Sequence, residues 1–137
     1  KNELLVIAGG AAIYVGSFII GNSDMHLKNF SLRETEPGNR RFQLSNAYDM
    51  LPVNVIMPED KEQMALTING KKRNIHKKEF KILAEVCDIP ANAAEKMIEK
   101  LCVLENKMLS LVDESYLPQA QRDELKTLIR DRVAILL

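Results

Sequence analysis

From Leu4 to Ile20 the chain is almost continuously apolar, interrupted only by Gly9, Gly10, Gly16 and Ser17. A helix apolar on nearly every side belongs inside a domain or inside a bilayer. As a membrane span the segment is slightly short, and it runs at once into the polar Gly21-Asn22-Ser23-Asp24 with no basic flank. As a signal peptide it lacks a basic start and a small-x-small cleavage site. The pattern therefore predicts a buried central helix and no membrane association. A central helix at the start of a chain also predicts a fragment whose parent continues upstream.

Beyond the helix the period changes. After the polar loop 21–29, Asn29-Phe30-Ser31-Leu32 and Arg41-Phe42-Gln43-Leu44 alternate apolar with polar, and Glu36-Pro37-Gly38-Asn39 between them is a turn signal, so a β-hairpin is predicted. Asn46 to Pro52 reads as a loop, Val53 to Met57 as extended, Pro58 to Lys61 as a turn, and Ala65 to Gly70 as a short strand ended by Asn69-Gly70. In the second half the spacing turns helical. Phe80, Ile82, Leu83 and Val86 fall on one face of a helix over 77–86. Pro90 opens a longer helix that carries Ala94, Met97, Ile98, Leu101, Leu104, Met108 and Leu111, and Pro118 opens a last one that buries Leu125, Leu128, Ile129, Val133 and Leu136. The fold class is mostly α with a small β-hairpin insert.

Composition narrows the function. A length of 137 residues fits a single domain over 1–137, and 46% hydrophobic with 28% charged residues is enough to bury a core without disorder. Nineteen basic and nineteen acidic residues leave no net field, so nucleic acid or anionic lipid would need a local patch. The one basic cluster is Lys71 to Lys81, which reads either as a solvated loop and helix start or as a surface for phosphates. Cys87 and Cys102 are too few for a disulfide framework or a cysteine zinc site, and point to free thiols in a reducing cytoplasm.

The polar residues that look chemical lie between Gly21 and Pro52. Asp24 is followed five positions later by Asn29, and after the hairpin comes Asp49 in the apolar turn Ala47-Tyr48-Asp49-Met50-Leu51-Pro52. Phosphoryl transfer uses a carboxylate that receives the hydroxyl proton and two oxygen ligands for magnesium, and the kinase catalytic loop has this Asp-to-Asn spacing. Each residue alone also reads as a helix cap or turn former.

In order, Ile19 to Ser31, Ala47 to Pro52 and Ala65 to Lys71 resemble the carboxy-terminal half of HipA-type toxin kinases, bacterial serine/threonine protein kinases of toxin-antitoxin modules. The resemblance implies the carboxy-terminal lobe of a protein-kinase-like fold, with ATP as phosphate donor and Mg2+ as cofactor. It implies Asp24 as catalytic base, and Asn29 and Asp49 as metal and nucleotide-phosphate ligands. His26 either donates a hydrogen bond near the transferred phosphate or packs against the hairpin. Lys28 either neutralises phosphate charge or is solvated, and Tyr48 aims Asp49. The implied partners are a protein substrate such as an aminoacyl-tRNA synthetase and a DNA-binding antitoxin, with DNA met only through that antitoxin. Nothing in the chain resembles the amino-terminal lobe with its phosphate-covering loop and lysine, so the isolated piece is expected to be inactive without that lobe. The alternative is a non-catalytic part of a repressor complex with a vestigial loop.

Overall fold

The computed structural model of the protein describes residues 2–137. Helix α1 (Asn2–Ile20) forms where the apolar run predicted it, but it is not buried all along. Tyr14, Val15, Ser17, Phe18 and Ile19 are buried, whereas Leu5 and Ile7 near its start are 72% and 42% exposed. The expectation of a helix covered on every side thus holds only for its second half. Among the described residues no helix is long and apolar enough to cross a membrane.

The chain leaves α1 through a glycine turn. Gly21 takes a φ of +74°, its N–H donates to the Phe18 carbonyl at 3.3 Å, and the Asn22 N–H donates to the Ser17 carbonyl at 2.8 Å. This is the Schellman ending, which satisfies the last helical carbonyls and favours glycine at the left-handed position. A Cβ on Gly21 would also lie 3.2 Å from both Leu128 methyls, so a side chain is refused on two counts. A single 3-10 turn (Leu27–Asn29) follows, and then strands β1 (Leu32–Glu34) and β2 (Phe42–Leu44). They pair antiparallel with Leu32 opposite Leu44 and Glu34 opposite Phe42; the hairpin is the predicted one, but its first strand lies later than the expected 29–32 and shares only Leu32 with it, because Asn29 is taken up by the 3-10 turn. The Glu34 carboxylate accepts from the Gly38 and Arg40 N–H groups and holds the turn, while β2 rests on α1.

Two predicted extended segments are not strands. Val53–Ile56 is a short helix, α2, entered from Pro52. The turn puts Val55 into the core and lets Asn54 bond in several directions at once. At 65–70 the Asn69-Gly70 turn is present, with both residues at positive φ and Ile68 bridging Lys71, but the rest is irregular. The reason lies in α1. The Tyr14 hydroxyl donates to the Leu66 carbonyl at 2.8 Å and accepts from the Leu66 N–H at 2.9 Å, so a helix side chain takes the groups a neighbouring strand would have used.

Helices α3 (Lys77–Val86), α4 (Ala91–Cys102), α5 (Glu105–Asp113) and α6 (Gln119–Leu136) complete the domain. In α3 Phe80 is buried with its ring edge-on to Phe18, 5.2 Å between centroids, but Val86 is 77% exposed and off the predicted face. The single helix predicted after Pro90 is two. It breaks at Val103-Leu104, where α4, packed chiefly on α3 and α1 and more lightly on α6, gives way to α5, packed on α6. Leu104 and Leu111, expected inside, are exposed. The predicted face of α6 is buried at Leu125, Ile129, Val133 and Leu136, and α6 closes the core over the end of α1.

Candidate functional site

The loop that leaves α1 and the loop that leaves the hairpin meet. Asn29, in the 3-10 turn, is buried, and its Nδ2 donates to Asp49 Oδ2 at 2.9 Å. With Nδ2 turned to the carboxylate, Asn29 Oδ1 is left buried with no hydrogen-bond partner. A buried amide oxygen without a partner costs roughly 1–3 kcal/mol, so its presence calls for a reason. Asp49 is exposed, and its backbone sits in the left-handed region at φ +53°, which aspartate tolerates better than most residues.

Neighbours hold the pair in place. The Tyr48 hydroxyl donates to the Lys28 carbonyl at 3.0 Å and ties the second loop to the first, while the residue stays partly exposed. On the other side of Asp49, the Met50 sulfur receives Ser17 Oγ at 3.7 Å and Asn22 Nδ2 at 3.6 Å, weak contacts that fasten it to the end of α1. An Asn29 amide oxygen and an Asp49 carboxylate are the hard oxygen donors that a small dication takes. Among the described residues no three His, Cys, Asp or Glu side chains converge on a metal position.

Asp24 lies on the same loop with its carboxylate in solvent. Its Oδ1 is 3.1 Å from His26 Nε2, so His26 faces the aspartate, while the Asp24 N–H is 3.4 Å from the Asn22 amide oxygen. Lys28 is exposed and contributes its carbonyl to the Tyr48 bond. The model of the HipA-like C-terminal domain family matches residues 11–108, which is most of the chain. The chain belongs to that family. A search of curated proteins returned no match. The match to the HipA-like domain contains Asp24, Asn29 and Asp49, and it ends before α6 begins.

Several residues around the HipA-like loop escaped the sequence reading. Ser23 is buried and its Oγ donates to Asp60 Oδ2 at 2.6 Å. Asn54 donates its N–H to the Gly21 carbonyl at 3.0 Å and its side-chain amide to the Asp60 and Glu62 carbonyls. Arg132, on α6, is buried and reaches Asn54 Oδ1 at 3.4 Å. For Arg132 the signal was in the sequence, since it falls three and four residues from Ile129 and Leu136 on the apolar face of α6.

The basic cluster is engaged within the chain. Lys71 bonds Glu79 at 3.0 Å with Lys78 4.0 Å away, Lys72 is 3.6 Å from Glu62, and Lys77 and Lys81 both pair with Glu95. Among the described residues Arg73 is the one member of the six lysines and arginines with no carboxylate partner. Glu79 is fully buried. Burial opposes its charge, but the Lys71 ammonium and the His76 N–H outweigh it and hold the carboxyl below its ordinary value. These pairings lower the free positive charge that a phosphate backbone would need.

Proposed function

We propose that this domain is the catalytic lobe of a HipA-like serine/threonine protein kinase, transferring the γ-phosphate of ATP to a protein hydroxyl. One observation carries the reading. Two residues twenty positions apart, Asn29 and Asp49, are brought to hydrogen-bond distance with an unpartnered buried oxygen beside them. Capping roles would not require that meeting. In this reading Asn29 Oδ1 and the Asp49 carboxylate hold Mg2+. When bound, the ion neutralises charge on the nucleotide phosphates.

The remaining steps belong to this chain's side chains. Asp24 accepts the proton of the substrate hydroxyl as its oxygen forms the new bond to the γ-phosphorus, while the bond from that phosphorus to the bridging oxygen breaks and ADP leaves. The solvent-facing carboxylate of Asp24 suits a group that must meet a second protein. In this reading His26, 3.1 Å from Asp24, orients it or donates toward the phosphate, and the exposed Lys28 adds positive charge for the phosphates. The nucleotide clamp is proposed to come from an amino-terminal lobe, so the 137 residues alone are expected to transfer little or no phosphate. A protein substrate and a DNA-binding antitoxin are the proposed partners.

The test is magnesium-dependent transfer from labelled ATP by the full-length protein that carries this domain, compared with Asp24→Ala and Asp49→Ala. Loss of transfer in both variants, with folding intact, is expected. Transfer that survives both substitutions would sink the assignment.

A further inference from the structure

Arg132 is an unusual choice for its position. It is 8% exposed, it lies on the apolar face of α6, and among the described residues no carboxylate forms an ion pair with it. Burial alone pulls its guanidinium down to about 10, with only the adjacent Asp131 opposing the shift. A buried cation without a counter-ion is a poor stabiliser compared with a methionine or leucine of similar volume. Its contacts give it a different use. Nη1 donates to the Phe18 carbonyl at 2.7 Å, the guanidinium lies 4.6 Å over the Phe18 ring, and Nη2 reaches Asn54 Oδ1 at 3.4 Å. A cation here meets the negative end of the α1 dipole at the last turn before the loop.

The chain of bonds continues toward Asp24. Asn54 donates to the Gly21 carbonyl and to the Asp60 carbonyl, Asp60 Oδ1 accepts the Glu62 N–H at 3.0 Å, and Asp60 Oδ2 accepts from Ser23 Oγ at 2.6 Å. Ser23 is the residue before Asp24. The path starts on α6, outside the residues that match the family, and ends one residue from the proposed base.

We infer that Arg132 is a positioning residue for phosphoryl transfer, fixing the end of α1 and, through Asn54, Asp60 and Ser23, the direction in which Asp24 leaves the loop. This rests on the kinase reading above. Displacing a reacting group by about an ångström costs on the order of 100-fold in rate, so loosening the brace is read in kcat. Substrate binding is set elsewhere and should not move.

The experiment measures kcat, KM for ATP, and amide hydrogen exchange at Asn22 and Asn54 in the full-length protein, for wild type, R132M, R132K and S23A. R132M is expected to lower kcat by about 10- to 100-fold with KM for ATP within about 2-fold, and R132K to recover part of the loss. Exchange at Asn54, whose N–H meets the Gly21 carbonyl, is expected to quicken in R132M while the thermal midpoint is kept. S23A breaks only the last link and is expected to lower kcat in the same direction. Unchanged kcat in R132M and S23A overturns the proposal, and if R132M does not fold, unchanged kcat in S23A alone does so. If wild type transfers no phosphate, the kinase reading fails and the positioning role with it, while exchange at Asn54 separately reports whether the brace exists.

Discussion

Removing one oxygen atom from Tyr14 isolates the tie between α1 and the 65–70 segment. In Tyr14→Phe the ring keeps its place beside Phe30, 6.4 Å between centroids, but the hydroxyl's two bonds to Leu66 are lost together. At about 1 kcal/mol net for each bond, the expected loss is about 2 kcal/mol. For a domain of this size that lowers the thermal midpoint by roughly 6–8 °C. The same hydroxyl gives a second readout. Burial pushes its pKa from 10.0 up to about 12, against the smaller opposing effect of the Leu66 backbone. The unfolded chain therefore releases this proton at a lower pH than the folded one, so the contribution is intact below pH 10 and is lost as pH rises toward 12. The difference amounts to about 2–3 kcal/mol across that window, and it should be absent in Tyr14→Phe. Urea unfolding of both proteins at neutral pH and at alkaline steps measures both effects. A neutral-pH loss below about 0.5 kcal/mol, or parallel alkaline limbs, would refute the reasoning.

Other outcomes follow from the same geometry. Asp49→Asn keeps a side chain that tolerates the left-handed backbone but removes the charge, so phosphate transfer should fall by at least about 100-fold with the fold retained, as circular dichroism would check. Gly16 lies mid-helix with open space where a Cβ would go, and Gly16→Ala should raise stability by about 0.5–1 kcal/mol in the same urea assay. Lys71→Met takes the nearest counter-charge from the buried Glu79 carboxylate, leaving the His76 N–H and the more distant Lys78, and should cost about 1–3 kcal/mol. Because Glu79 titrates below its ordinary 4.5 in the folded protein, its contribution is present at neutral pH and is lost as pH falls through that depressed value, so Glu79→Gln should flatten the acid limb of stability.

Much of the architecture was legible in the chain because periodicity and burial agreed there. The α3 bounds coincide with the predicted 77–86, Pro118 does precede α6, and the Pro-Gly turn does join two strands. The failures came where a distant group decided the local structure. Nothing around Leu66 announces that Tyr14, 52 residues away, will take its backbone groups. The break at Val103-Leu104 carries no glycine or proline, and only the folded chain shows α4 leaning chiefly on α3 and α1 while α5 leans on α6. At the candidate site the motif spacing drew attention to Asp24, Asn29 and Asp49, but only folding reveals that Asn29 turns its nitrogen to Asp49 and leaves its oxygen unpartnered. The brace through Asn54 and Asp60 consists of ordinary loop residues whose meaning depends on Arg132.

The pairing of five lysines with only three carboxylates, Glu62, Glu79 and Glu95, has a kinetic consequence. Charges paired at contact distance form short-range multipoles, and their field dies away within a Debye length of about 8 Å at physiological salt. Six cations against three carboxylates still leave a surplus of about three positive charges, so this face keeps a modest, salt-screened pull on an acidic partner. Complexes with an acidic partner on this face should assemble somewhat faster than the unsteered rate of about 10^5–10^6 per molar per second at low salt, and the gain should fade as ionic strength rises. Beyond that weak pull, selectivity there comes from the fit of surfaces already in contact.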